Sequence, residues 1–175
     1  ELTIALGGDN SITYAAALGV YGEKLSTAGL ITLDAHHDLR DGNSNGSPVR
    51  RLIEAGLNPK QIVQIGINDF SNSSDYEQLA HSLGITVITR TEVASIGIAS
   101  ACKKALEIAG ASLGPIHVDL DVDVCDQSVV PACPAAAPGG ISAFELRQAA
   151  RILASNSLVR GLDITEIDAS RDTED

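Results

Sequence analysis

The stretch LITLDAHHD, residues 30–38, decides the fold of this chain. Its first four residues form a short apolar run with the composition of a strand, and a cluster of acids and histidines follows at once. Similar apolar runs recur along the sequence, at Leu2–Leu6, Ile62–Ile67, Ile85–Ile88, Ile116–Leu120 and Val159–Ile164. Each run is nearly continuous in apolar residues, which is typical of a strand covered on both faces.

Segments with helical spacing separate these strands. Four of them carry apolar residues at i, i+3, i+4 and i+7, and they begin at Ile12, Tyr76, Cys102 and Leu146. Gly110 is placed to end the third helix. The spacing of capping boxes occurs at Ser74…Glu77 and Ser142…Glu145. Strands that alternate with helices predict an α/β fold with a mainly parallel sheet.

Composition limits the classes of function. The chain has 175 residues, of which 44% are hydrophobic, and we interpret residues 1–175 as a single domain. A net charge of −11 without a Lys/Arg cluster argues against nucleic acid or an anionic membrane as the main partner. Three cysteines are an odd number and favour a reducing compartment, so we expect a cytoplasmic protein.

Polar residues follow four of the predicted strands at the point where each strand ends. Because the carboxyl ends of parallel strands meet at one edge of a sheet, these side chains are expected to converge there. Several buried carboxylates in one place must either take up protons or bind cations. The blocks concerned are Gly7–Ser11, Asp34–Asp38, Asp119–Asp123 and Asp163–Asp168. The sequence therefore predicts a cation site at this edge.

The candidate metal ligands are spaced by two residues. Asp34, His36 and Asp38 would point to one side of an extended backbone, and Asp119 and Asp121 would do the same. Carboxylate oxygens with one imidazole favour a hard or borderline ion such as Mn²⁺. Five ligands exceed what one ion requires, so we expect two ions that activate a water between them.

Other polar residues near these blocks have simpler interpretations. Asp9 precedes a helix, which favours a turn or a cap, and His81 and His117 are interpreted as structural residues. Cys125 and Cys133 are minor candidates for metal ligation, because their spacing is not that of a Cys-x-x-Cys motif.

The four blocks together resemble the signature motifs of the ureohydrolases, the family of arginase, agmatinase and formimidoylglutamase. The residues that carry the resemblance are Gly7-Gly8-Asp9-Asn10-Ser11, Asp34-Ala35-His36-His37-Asp38, Asp119-Leu120-Asp121-Val122-Asp123 and Asp163-Ile164-Thr165-Glu166-Ile167. The resemblance covers nearly the whole chain. It implies a three-layer α/β/α fold, a centre of two Mn²⁺ ions, and hydrolysis of a carbon–nitrogen bond in a guanidino or amidino group.

The resemblance also implies individual roles. The residues that match metal ligands are Asp34, His36, Asp38, Asp119 and Asp121, with Asp34 and Asp119 as the bridging pair. Glu166 matches the acid that orients the cationic group of the substrate through a charge-assisted hydrogen bond. Asp121 or a bound water is expected to return a proton to the leaving amine.

Two positions depart from the family pattern. Asn10 stands where the family has a metal-ligating His, so one metal site is expected to be weakened, unless Asn10 only caps a helix. Asn45 stands where arginases and agmatinases have a proton-shuttling His, and an amide does not transfer protons at neutral pH. His37 is the candidate substitute. These departures open the alternative of a family member that binds without catalysis.

Arg40 favours the formimidoylglutamase-like branch, in which a similar basic residue follows the third ligand. A guanidinium there can hold a substrate carboxylate through two hydrogen bonds. The alternative is a surface ion pair with Asp41 or Glu54. The expected reaction, a step of histidine catabolism, is cleavage of N-formimidoyl-L-glutamate to glutamate and formamide. The alternative activity is a urea-releasing one of the agmatinase, guanidinobutyrase or arginase type.

The expected partners are a small amidino or guanidino substrate and further copies of the chain in a homo-oligomer, with neither nucleic acid nor membrane. The chain begins with Glu1 and contains no methionine. Ureohydrolases have further strands and helices on both sides of these blocks. We therefore expect a partial ureohydrolase domain that lacks N-terminal and C-terminal parts.

Overall fold

Six parallel strands form one sheet in the computed structural model of the chain, which describes residues 1–172. The strands are β1 (Thr3–Leu6), β2 (Gly29–Leu33), β3 (Ile62–Ile67), β4 (Thr86–Thr89), β5 (Ile116–Asp121) and β6 (Val159–Thr165). Their order across the sheet is β1-β6-β5-β2-β3-β4. The six apolar runs therefore predicted the strands correctly, with bounds that differ by one residue at most.

Helices cover both faces of this sheet. They are α1 (Ile12–Tyr21), α2 (Pro48–Ala55), α3 (Ser74–Leu83), α4 (Arg90–Ile96), α5 (Ile98–Ala109) and α6 (Ala143–Ala154). Helices α1, α2 and α3 contribute to one apolar core, and α4, α5 and α6 contribute to a second core on the opposite face. The α/β class and the three-layer arrangement are thus confirmed. No helix in the described range 1–172 is long and apolar enough to cross a membrane.

The observed helix ends test how well local sequence patterns predict where a helix begins and ends. At α6, Ser142 and Glu145 make both hydrogen bonds of a capping box, as predicted. At α3 the prediction was one residue late, because the side chain that accepts from the backbone N–H of Tyr76 belongs to Ser73. Helix α5 ends at Gly110 as expected.

One row of polar side chains crosses the otherwise apolar sheet. In the register of the strands, Gln64 of β3, Thr32 of β2, Asp119 of β5 and Asp163 of β6 are successive neighbours. All four residues are buried. The row lies near the carboxyl ends of the strands. It therefore forms the floor of the region where the loops after β1, β2, β5 and β6 meet.

Candidate metal centre

Four strand ends deliver polar side chains to one cavity of about 330 Å³. The strand-end residues that line it are Asn10 after β1, His36 and Asp38 after β2, Asp121 and Asp123 at and after β5, and Glu166 after β6. The predicted convergence at one edge of the sheet is therefore present in the structure. The cavity continues outward past Arg40 and Asn45 to the start of α3.

Asp34, His36 and Asp123 form the tightest group of potential metal ligands. One ligand atom from each lies within 4.8 Å of the others. His36 Nδ1 is 2.8 Å from Asp123 Oδ2 and 3.5 Å from Asp34 Oδ1. Three side chains with oxygen and imidazole donors at this spacing could hold one divalent ion. Two of the three were predicted as ligands, and Asp123 was not.

Asp123 reaches the centre because β5 ends just before it. A short 3-10 helix, Val122–Val124, turns the chain, and the side chain of Asp121 accepts a hydrogen bond from the backbone N–H of Asp123 at 2.9 Å. Asp123 in turn accepts from the backbone N–H of Ala35 at 3.0 Å, which joins this turn to the loop after β2. The signal in the sequence was the continued alternation Asp119-Leu120-Asp121-Val122-Asp123.

Asp119 lies in the polar row below the cavity and does not line it. It is fully buried, and neither carboxylate oxygen has a hydrogen-bond partner within residues 1–172. Its register neighbour is Asp163, whose Oδ2 is 2.8 Å from His117 Nε2. This placement does not support the expectation that Asp119 is a bridging ligand. We propose Asp123 in its place.

The segment after β2 is not extended, contrary to the sequence prediction. The strand ends at Leu33, and Asp38 has a left-handed backbone with φ 54°. Asp34 and Asp38 still face one common point, because the side-chain nitrogen of Asn10 lies 3.4 Å from Asp34 Oδ2 and 2.6 Å from Asp38 Oδ2. A turned loop therefore achieves the convergence that an extended one was expected to give.

The electrostatics of this centre favour a bound cation. Burial, and then the neighbouring carboxylates, raise the pKa values of Asp34 and Asp121 well above the ordinary range, and burial raises the pKa of Asp38 to about 7. A hydrogen bond to Asp123 raises the pKa of His36. Within residues 1–172, no Lys or Arg pairs with any of these carboxylates. Such oxygen donors without a balancing cation fit a hard or borderline divalent ion.

The free energy of unfolding of the metal-free protein is expected to fall as the pH rises from 5 to 8. The raised carboxyl pKa values mean that the folded state keeps protons that the unfolded chain releases near pH 4. Folding stability therefore decreases with pH, by about 1.4 kcal/mol per pH unit for each proton held. Urea unfolding in EDTA at several pH values measures this slope.

Saturating Mn²⁺ serves as the control for this prediction. A cation replaces the protons at the same carboxylates. The decrease of the free energy of unfolding with pH should therefore become smaller or turn into an increase. Stability that rises between pH 5 and 8 in EDTA would show that these carboxylates are already ionised in the metal-free fold.

Glu166 lines the cavity just after β6. Its backbone is left-handed with φ 68°, and its side chain is only 8% exposed. Its Oε1 accepts hydrogen bonds from the backbone N–H of Asn10 at 2.8 Å and from Asn45 Nδ2 at 3.3 Å. The carboxylate is therefore held in one orientation at the cavity. Asn45 contributes to the site as a donor to Glu166.

His37 also lines the cavity, and its ring contacts Gln64 of β3. Its Nδ1 is 2.7 Å from Gln64 Oε1, and Gln64 Nε2 donates to the carbonyl oxygen of His37 at 2.8 Å. Because the amide nitrogen of Gln64 is used for the carbonyl, its oxygen accepts the proton on His37 Nδ1. Burial lowers the pKa of His37. This imidazole is thus anchored and tends to be neutral.

Arg40 lines the outer part of the cavity. Asp41 and Glu54, the alternative partners of Arg40, both pair with Arg50, at 2.6 Å and 3.1 Å. In the described part of the chain no carboxylate lies within 4.0 Å of the Arg40 guanidinium. The backbone N–H of Arg40 donates to the carbonyl oxygen of Gly46, and its side chain packs against Gly46, with Cδ 2.8 Å from where a Cβ at position 46 would stand. The guanidinium of Arg40 is therefore available to bind an anion in the cavity.

The remaining candidates lie outside the ligand group. Asp9 accepts hydrogen bonds from Ser11 and organises the turn before α1, as expected. His81 is exposed on α3, and His117 is buried against Asp163. Cys125 and Cys133 are buried and free, and neither belongs to the group formed by Asp34, His36 and Asp123.

The family model, the similar sequences and the similar structures all point to one protein family. The model of the Arginase family matches residues 1–175. A formimidoylglutamase of Halalkalibacterium halodurans is 41% identical over 174 residues, which are 97% of this chain and 54% of that protein. The solved formimidoylglutamase of Bacillus subtilis superposes with a TM-score of 0.90 at 35% identity, over 98% of this chain and 55% of that one.

A more distant structure shows the same fold. The formiminoglutamase of Trypanosoma cruzi, solved with Mn²⁺, superposes with a TM-score of 0.91 at 21% identity, over 98% of this chain and 59% of that one. The chain thus spans about half the length of the relatives that it matches. Since the family model matches along all 175 residues, the chain belongs to the arginase family.

Proposed function

We propose that this chain carries the active centre of a metal-dependent hydrolase that cleaves a carbon–nitrogen bond in a linear amidine or guanidine. The observation that carries the proposal is the position of Glu166, a buried carboxylate held at the same cavity as the ligand group of Asp34, His36 and Asp123. The substrate we propose is N-formimidoyl-L-glutamate, and the products are glutamate and formamide. The similarity to two formimidoylglutamases supports this choice.

The metal we propose is Mn²⁺, in two ions, and the residues present fit it. Asp34, His36 and Asp123 would hold one ion, and Asp38 would hold the other. Asp121 lines the same cavity and would be the remaining ligand. Divalent ions at this position supply Lewis-acid activation of water for attack on an amidino carbon. Manganese is also the ion in the T. cruzi structure.

Glu166 orients the substrate in this proposal. An amidinium carries its positive charge on two N–H-bearing nitrogens, and a fixed carboxylate accepts from it through charge-assisted hydrogen bonds. The donors Asn10 N and Asn45 Nδ2 both hold Oε1, so Oε2 is the oxygen left for the substrate. Asp121, which also lines the cavity, is the proposed carrier of a proton to the leaving amine.

Arg40 sets the preference for a substrate with an anionic tail. Replacing Arg40 with alanine is expected to raise KM for N-formimidoyl-L-glutamate by about 10- to 100-fold, since a charge-assisted hydrogen bond contributes about 1.5–3 kcal/mol. Hydrolysis of an N-alkylformamidine, which carries the same formimidoyl group without a carboxylate, should not change. Steady-state kinetics on both substrates measures the difference.

The matched control for this prediction is Arg51→Ala. Arg51 lies over the ring of Tyr14, with its Cζ 3.7 Å from the ring centroid, so this change removes the same charge away from the cavity. The role of Arg40 is refuted if both variants affect KM equally, or if the wild-type protein prefers substrates without a carboxylate.

A substrate panel tests the proposed function as a whole. The purified protein with Mn²⁺ is assayed on N-formimidoyl-L-glutamate, agmatine, arginine and guanidinobutyrate, and formamide and urea are measured separately. We expect formamide from the first compound. Urea from any of the others would support an agmatinase, guanidinobutyrase or arginase activity instead. Metal binding without turnover would support a non-catalytic family member.

The proposed partners follow from the same assignment. They are the small amidino substrate and further copies of this chain, in the cytoplasm. Three free and buried cysteines are compatible with a reducing compartment.

A further inference from the structure

Residues 40–47 form a loop that is closed on itself beside the cavity. The backbone N–H of Arg40 donates to the carbonyl oxygen of Gly46 at 3.0 Å, and the backbone N–H of Ser47 donates to that of Ser44 at 3.2 Å. The hydroxyl of Ser47, which is fully buried, donates to the same carbonyl oxygen of Ser44 at 2.8 Å. The two ends of the loop are therefore fixed relative to each other by hydrogen bonds within the loop.

This loop carries two side chains of the cavity. Asn45, near its end, donates to Glu166 Oε1 at 3.3 Å, and Arg40, at its start, lines the outer part. In the proposed function Glu166 binds the amidinium of the substrate and Arg40 binds its carboxylate. The position of the Arg40 guanidinium therefore sets the distance between the two charges that a substrate must carry.

The side chain of Arg40 lies directly against Gly46. A Cβ atom at residue 46 would stand 2.8 Å from Cδ, 3.0 Å from Nε and 3.4 Å from Cζ of Arg40. Carbon atoms pack at about 3.5–4.0 Å, so Cδ would have to move by about 0.7 Å or more to admit a methyl group. The side chain of Arg40 thus fills space that only glycine leaves empty.

The backbone and the charges around this contact give it no other purpose. The glycines of the described range that have a positive φ do not include Gly46, so an alanine is not strained by φ at this position. No carboxylate of the same range lies within 4.0 Å of the Arg40 guanidinium. Packing against Gly46, and not an ion pair, therefore directs the guanidinium.

We propose that Gly46 is a positioning residue that determines specificity for the carboxylate of the substrate. The space at residue 46 lets the side chain of Arg40 lie along the loop, which places the guanidinium at a fixed distance from Glu166. An amidine whose carboxylate reaches that distance is bound at both ends. This inference rests on the proposed function and adds to it the residue that positions Arg40.

Gly46→Ala tests the inference through a change of specificity. In the presence of Mn²⁺, kcat/KM is measured on N-formimidoyl-L-glutamate and on an N-alkylformamidine, which has no carboxylate. We expect the ratio of the two constants to fall about tenfold, through KM, because misplacing a positioning group by about 1 Å is costly. A ratio equal to that of the wild-type protein would overturn the inference. A wild-type protein that hydrolyses neither substrate would overturn the proposed function instead.

The matched control is Gly19→Ala, on the exposed side of α1. A Cβ at Gly19 would meet no atom within 4 Å, so this change adds the same methyl group to open space. Its ratio should equal that of the wild-type protein. Equal falls in the two glycine variants would overturn the inference.

A double substitution separates an effect on Arg40 from a general deformation of the loop. If Gly46 acts through Arg40, then Gly46→Ala displaces nothing once Arg40 has been replaced by alanine. The variant with both substitutions should therefore show the same ratio as Arg40→Ala alone. A further fall in the double variant would overturn the inference.

The metal-free wild-type protein gives a measurement that needs neither a variant nor activity. Nuclear Overhauser effects between the Hδ protons of Arg40 and the Hα protons of Gly46 report the contact directly. We expect them to be strong, since the two groups are packed together. Their absence would overturn the inference.

Discussion

Replacing Asp123 with alanine is expected to remove the ion held with Asp34 and His36 and to lower kcat about a thousandfold or more. Asp123 lies 2.8 Å from His36 and belongs to the tightest ligand group of the centre. Metal ions of this kind supply several kcal/mol of transition-state stabilisation, and each 1.36 kcal/mol corresponds to a factor of ten in rate. Metal content after gel filtration and kcat on N-formimidoyl-L-glutamate are the two measurements.

The matched control is Asp119→Asn, in the polar row below the cavity. The amide side chain of this variant keeps the size of the carboxylate and can donate a hydrogen bond to the neighbouring Asp163. We expect the variant to keep both ions and to lose less than about tenfold in kcat. The opposite pattern, with metal lost in Asp119→Asn and kept in Asp123→Ala, would restore Asp119 as the ligand.

Replacing Glu166 with glutamine is expected to lower kcat/KM by about 100- to 1000-fold while metal binding is unchanged. The change removes the negative charge that would pair with the amidinium of the substrate, and it keeps the length of the side chain. Losing one charged donor–acceptor contact in a buried site costs about 2.7–4 kcal/mol in comparable oxyanion sites. Kinetics and Mn²⁺ stoichiometry on the same preparation separate substrate orientation from metal binding.

Asn45→Ala is the companion variant for Glu166. It removes the 3.3 Å hydrogen bond to Oε1 but leaves the carboxylate and the contact from the backbone of Asn10. A loss of at most about tenfold is expected, in line with one hydrogen bond of about 1 kcal/mol. A Glu166→Gln variant with full activity would refute the assignment of this residue to the amidinium.

The strands were predictable because each is a local feature. A buried parallel strand is a continuous apolar run, and Ile62–Ile67 is buried at every residue. Helix α2 was not predicted, because Pro48–Ala55 is short and its sequence, PVRRLIEA, carries three charged residues among the apolar ones. Helix α4 has only seven residues. Short elements of this kind owe their stability to packing that a single-sequence pattern does not contain.

The site was predictable to the extent that it follows from the direction of the strands. Asp34, His36 and Glu166 lie at the expected edge because parallel strands end together. The proposed choice of Asp123 over Asp119 does not follow from alternation, because it depends on where β5 ends and the 3-10 helix turns the chain. A two-residue period predicts the side of the strand on which a residue lies. It does not predict whether the residue lies in the sheet or at the cavity.

The ion-pair partners of Arg40 could not be predicted either, because they depend on the position of helix α2. Its two candidate partners in sequence are both bound by Arg50, a residue of the unpredicted helix α2. Exposed ion pairs of this kind contribute little to stability. Here their effect is to leave the guanidinium of Arg40 without a carboxylate partner among the described residues and facing the cavity.

The left-handed backbone at Asp38 and Glu166 limits how this site can vary by mutation. A non-glycine residue at φ 54° or 68° carries about 1–3 kcal/mol of conformational strain, and β-branched residues there would carry more. Glycine would relieve the strain at either position and delete the carboxylate. Selection for folding stability and selection for catalysis therefore favour different residues at these two positions of the cavity wall. In a mutational scan scored by folding alone, the strain would count against both acids, and at Glu166 the hydrogen bonds from Asn10 and Asn45 would offset it.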